Sequence, residues 1–79
     1  MAESNDVIVR RGRSAREVLE SDVFRESVLA VEADIVIQWR EGKTPQAREE
    51  AHAHLKALDA VVRKLRVTME RGELATLED

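Results

Sequence analysis

The sequence predicts an all-α fold: a long antiparallel helical hairpin with a short preceding helix and an extended N-terminal arm. Three observations carry this. Two stretches space their apolar residues by three and four. One cluster, Gly42-Lys43-Thr44-Pro45, separates them. With one Pro, one Phe, one Trp and no Tyr, the composition lacks the aromatics and turn residues of a small β-barrel or sandwich. The 79 residues have room for one domain, and 43% apolar residues are too many for a wholly disordered chain, even with 37% charged.

Residues 1–13 read as an arm. Ser4, Asn5 and Asp6 are turn formers, Val7-Ile8-Val9 is a short β-prone run, and Gly12 sits among Arg10, Arg11 and Arg13. Three apolar residues cannot make a sheet alone. Two readings stand: a frayed terminus, or a strap laid along a partner. Ser14-Ala15-Arg16-Glu17 fits a capping box and opens a short helix at about 15–20. Ser21 with Asp22 offers a second N-cap. From 22 to about 40, Phe24, Val28, Val31, Ile35 and Trp39 form one helical stripe, widened by Leu29, Ala33, Val36 and Ile37. The β-branched Ile35-Val36-Ile37 lies inside that period and reads as helix.

Gly42 is placed to end the helix in a left-handed conformation, Thr44 to cap the next, and Pro45 to occupy its first turn. So short a connection makes the two long helices antiparallel neighbours. In the second, spanning about 45–71, Ala51, Leu55, Leu58, Val62, Leu65 and Met69 form a coiled-coil-type seam. Gly72 is expected to stop it, leaving residues 73–79 as an acidic tail. Domain organisation is therefore arm 1–13, hairpin 14–72 and tail 73–79. The stripe and seam form the expected hairpin or oligomer core, and the hairpin is expected to fold without the arm. Its core is small for a chain with no staple, and Leu29, Val36, Val61 and Val67 lie beside it. A bundle completed by other copies or another protein is expected.

The net charge of −3 is unevenly spread. Residues 1–16 hold four Arg against two acids, and 17–44 hold seven acids against three bases. Residues 45–72 hold six bases against four acids, and the tail has three acids and no base. Such blocks can pair within a chain or between copies, and none has the unbroken basic excess of a dedicated nucleic-acid arm. The arm arginines Arg10, Arg11, Arg13 and Arg16, with the strip Arg63, Lys64 and Arg66, are candidate phosphate contacts. The arm arginines equally suit the acidic face of a neighbour. The arm residues Val7, Ile8, Val9, Arg10, Arg11 and Arg13 form a candidate partner-docking element.

No catalytic or metal site and no cofactor is expected. Cysteine is absent, which removes disulfides, thiolate ligands and a thiol nucleophile. His52 and His54 are two apart and point about 200° away from each other on a helix, so they cannot share an ion. Glu49-Glu50 suits a helix N-terminus through the helix dipole. Gly42-Lys43-Thr44 lacks the preceding glycine and strand of a phosphate loop. No apolar run approaches the roughly 20 residues of a membrane span. The first residues lack a signal-type apolar core, so synthesis in a cytoplasm is expected, with no membrane partner and no small-molecule substrate.

Residues 14–75 carry a further pattern. Val18-Leu19-Glu20-Ser21-Asp22-Val23-Phe24 precedes a long helix with Trp39. Thr44-Pro45, Arg48-Glu49, His54-Leu55, Ala57-Leu58-Asp59-Ala60 and Gly72-Glu73-Leu74-Ala75 follow. This string resembles small helical-hairpin proteins encoded in the head-gene regions of tailed phages, prophages and phage-like elements. His54 departs from the aromatic expected there. The resemblance implies a non-enzymatic structural or assembly component of the particle, in its head or connector region, made in the host cytoplasm. It would dock on other particle proteins or on copies of itself. Two alternatives stand beside it: a DNA-binding packaging subunit resembling a small terminase, and a phage-encoded inhibitor or regulator of a host protein.

Overall fold

The structure, a computed structural model, describes residues 4–78. The described residues form three helices: α1 (Asn5–Glu20), α2 (Asp22–Glu41) and α3 (Pro45–Glu78). At 1.5 Å per residue, the 34 residues of α3 span about 51 Å, close to the 54 Å long axis of the molecule. α3 is thus the spine. α1 and α2 lie on it in tandem, joined only through Ser21. Contacts run in opposite sequence directions: Gln38 meets His54 through a 3.2 Å side-chain contact, Phe24 and Val28 share a groove with Val62 and Met69, and Ile8 lies beside Ala75.

The caps explain the boundaries. Ser4 Oγ accepts from the Val7 amide, Ser21 Oγ from Phe24, and Thr44 Oγ1 from Ala47 at 3.1 Å. At the corner between α1 and α2, the Arg25 Nε donates to the Leu19 carbonyl at 2.9 Å. That satisfies one of the carbonyls a helix end leaves over, where α1 has no basic residue of its own. Arg48 does the same for the Gly42 carbonyl at the end of α2.

Several expectations are corrected. The described part of the arm, from Asn5, is helix rather than extended chain, continuous with the expected short helix at 15–20. Ser14 is interior and the N-cap is Ser4. Val7-Ile8-Val9 is half-buried in α1, because packing against α3 outweighs a weak β preference. Gly72 does not stop α3, which runs on through the described part of the acidic tail to Glu78. Gly42 ends α2 with φ −64°, not in the left-handed region. Residues 1–3 and 79, parts of the expected arm and tail, lie outside the described residues.

The reason for the first two changes is one close approach. A Cβ built on Gly12 would sit 2.8 Å from the Gly72 Cα, and one on Gly72 the same distance from the Gly12 Cα and 3.1 Å from the Ile8 carbonyl oxygen. Only two glycines let the backbones come this near. Ala15 and Ala75 are buried in the same region, and with Ile35 and Ala51 they are the buried apolar residues among those described. Of the expected core, Ile35 and Ala51 are buried, whereas Phe24, Val28, Leu55, Leu58, Val62, Leu65 and Met69 are half-buried. Val31 (43% exposed) and Trp39 (49%) stand outside it, because α3 covers α2 from one side only.

Substituting alanine at Gly12 or Gly72 therefore has two opposed effects. Helix propensity improves by up to about 1 kcal/mol, while forcing a methyl into backbone costs about 1–3 kcal/mol. Gly12→Ala and Gly72→Ala are each expected to lower the melting temperature by several degrees in circular dichroism. Gly42→Ala, whose added methyl would meet Ala47 Cβ, Arg48 Cγ and the Gln38 carbonyl oxygen at 3.3 Å rather than 2.8 Å, and whose φ suits any residue, is expected to change it less. Removing residues 1–13 takes away Ile8 and half the glycine crossing, so the rest is expected to lose cooperative melting rather than persist as an intact hairpin.

Candidate functional site

Among the described residues the surface carries several open grooves, and two of them gather candidate residues. The first follows the corner between α1 and α2 where it meets α3. Leu19, Phe24, Val28, Leu29, Val62 and Met69 line it, and Glu20, Arg25 and Arg66 form its rim, around a volume of about 520 Å³. It lies where Ser21 breaks the helix, with Leu19 before the break and Phe24 after it. The apolar surface continues beyond it. Among the described residues eleven large apolar side chains are exposed, including Leu29, Val36 and Ile37 on α2, Val61 and Val67 on α3 and Leu74 and Leu77 near its end.

The second groove is basic. Arg11 from α1 meets Lys64 and Arg71 from α3 around Ile8 and Thr68. Lys64 and Arg71 are seven residues apart, two helical turns, and so share one face of α3; the glycine crossing brings Arg11 to it. The other candidate phosphate contacts disperse. Arg10 and Arg13 flank a shallow depression with Asp6 and Thr76. Arg16 is committed to an ion pair with Glu73, both about half-exposed. Arg66 rims the apolar groove, and Arg63 lines neither. The arm arginines and the 63–66 strip therefore do not form one continuous track. Of the candidate docking element, Val7, Ile8 and Val9 are half-buried in the fold, while Arg10, Arg11 and Arg13 face outward.

Trp39 is a surface residue. The Arg48 guanidinium carbon lies 5.3 Å from its ring centroid, a cation–π arrangement. His54 meets Gln38, and the exposed His52 points elsewhere. Lys43 and Thr44 lie in the connection between α2 and α3, with Thr44 occupied as a cap. Among the described residues no group of three or more His, Asp or Glu could hold a metal ion, and no helix is long and apolar enough to cross a membrane.

The sequence reading missed the residues that close the α1–α3 crossing. A signal was available: Gly12-Arg13-Ser14-Ala15 and Gly72-Glu73-Leu74-Ala75 are the same Gly-x-x-Ala pattern, two small residues one turn apart on each helix. No protein-family model, curated protein or solved structure matches this chain.

Trp39→Ala is expected to cost about 1–2 kcal/mol in urea denaturation, below the roughly 3–5 kcal/mol of a buried aromatic. A double-mutant cycle with Arg48→Ala is expected to show coupling of about 0.5–1 kcal/mol.

Proposed function

We propose that this chain is a non-enzymatic assembly component of a tailed-phage or phage-like particle, working in the head or connector region by docking on other particle proteins or on further copies of itself. The observation that carries this reading is the imbalance between buried and exposed apolar residues: four buried, none of them large and fully enclosed, against eleven large ones exposed, all among the described residues. A chain that works alone rarely leaves so much apolar surface in water. The resemblance of residues 14–75 to phage head-region proteins supplies the setting. The exposed apolar groove, rimmed by charges of both signs, suits an apolar helix or side chain of a neighbour better than a small polar ligand.

The test is composition. Particles purified from the source of this sequence are expected to contain the chain by mass spectrometry, and a strain deleted for it is expected to accumulate incomplete particles. Normal particles that lack the chain overturn the reading.

The grouping of Arg11, Lys64 and Arg71 favours a second reading, a DNA-binding packaging subunit. Under it, low-salt binding to duplex DNA falls steeply as salt rises, and replacing Lys64 and Arg71 together by alanine reduces the salt slope by about 2. Absence of duplex binding at low salt in a gel-shift assay excludes it.

A further inference from the structure

α2 has two apolar sides. One, carrying Phe24, Val28 and Ile35, rests on α3. At 100° per residue, the opposite side carries Glu26, Leu29, Ala33, Val36, Ile37 and Arg40, all exposed. Leu29 is 65% exposed and Ile37 50%. A helix covered from one side needs only one apolar stripe, so this second one requires its own explanation.

We propose that the outer side of α2 is a homodimer face, closed by a second copy of this chain packed antiparallel about a twofold axis at Ala33. The order of residues argues for that occupant. Glu26 lies seven residues before Ala33 and Arg40 seven after; Leu29 lies four before and Ile37 four after. Placed antiparallel with Ala33 on Ala33, each Glu26 falls opposite the partner's Arg40, and each Leu29 opposite the partner's Ile37. A face paired with itself by a twofold must be self-complementary in this way. The small Ala33 at the centre lets the helices approach closely, and apolar residues flank it at spacings of three and four. The parallel arrangement would set Glu26 against Glu26 and Arg40 against Arg40. Among the described residues neither Glu26 nor Arg40 has an ion-pair partner within the chain, so both are free for this role.

The face is about 21 Å long between Glu26 and Arg40; its closure covers the Leu29 edge of the apolar groove and leaves the basic groove open to other partners. The inference goes beyond the particle reading and is separable from it. A monomeric chain found in particles would overturn the dimer and leave that reading standing; a dimer absent from particles would do the reverse.

Sedimentation equilibrium of the full chain is expected to show a monomer–dimer equilibrium. Arg40→Glu is expected to raise the dissociation constant about tenfold or more by setting like charges opposite each other. Glu26→Arg combined with Arg40→Glu is expected to restore it, while circular dichroism stays unchanged in both. Because the chain has no cysteine, Ala33→Cys provides a single thiol, which is expected to give a disulfide-linked dimer on mild oxidation. Ala57→Cys, exposed on α3, is not. A chain that remains monomeric overturns the proposal. So does a dimer indifferent to Arg40→Glu, a double charge swap that fails to recover association, or cross-linking through Ala57→Cys in preference to Ala33→Cys.

Discussion

The architecture depends on the contact between the backbones of α1 and α3 at Gly12 and Gly72. Neither glycine is there for an unusual backbone conformation, since both are ordinary helical residues. Each weakens its own helix by roughly 1 kcal/mol relative to alanine. The return is proximity: with no Cβ in the way, α1 comes close enough to bury Ala15 and Ala75, to half-bury Ile8 and for Arg16 to reach Glu73. That ion pair is half-exposed and worth at most about 1 kcal/mol, so it orients the crossing more than it holds it. Without the crossing, α1 would have no deep contact and the C-terminal third of α3 no cover.

The same design explains why so little is buried. α1 and α2 lie in tandem along α3, so most of the molecule is two helices side by side. Its thinnest dimension is 15 Å, and its radius of gyration is 16.7 Å, against about 12 Å for a compact domain of this length. A layer of this thickness has no interior beyond the line where the helices touch. Leu55, Leu58, Val62 and Leu65 lie on that line and are still only half-buried. Apolar residues away from it, such as Val36 and Ile37, stay exposed. The exposed surface is therefore a consequence of topology.

Electrostatics follows the packing. Basic and acidic blocks alternate along the chain, and the fold brings basic α1 against an α3 that ends in acids. Arg16 with Glu73 is one result; Arg11 beside Lys64 and Arg71 is another, in which like charges gather because their helices are held together by other contacts.

Much of this was legible in the sequence alone. The all-helical class, the caps at Ser21 and Thr44, the break at 42–44 and the parts of the stripe and seam that meet, Phe24, Val28 and Ile35 on α2 with Ala51, Leu55, Leu58 and Val62 on α3, follow from local rules: apolar spacing, side-chain capping and the geometry of proline. The outer residues of α2 were visible too, as apolar positions beside the stripe. What only the tertiary structure decided is where local preference is overruled. Val7-Ile8-Val9 looks like strand and Gly12 and Gly72 look like helix breaks, because each is judged against its sequence neighbours. Their real neighbours lie some 60 residues away. The gain from burying Ala15 and Ala75, half-burying Ile8 and bringing two glycine backbones together outweighs the tenths to about one kcal/mol by which propensity disfavours those helices, and it exists only once α1 and α3 have met.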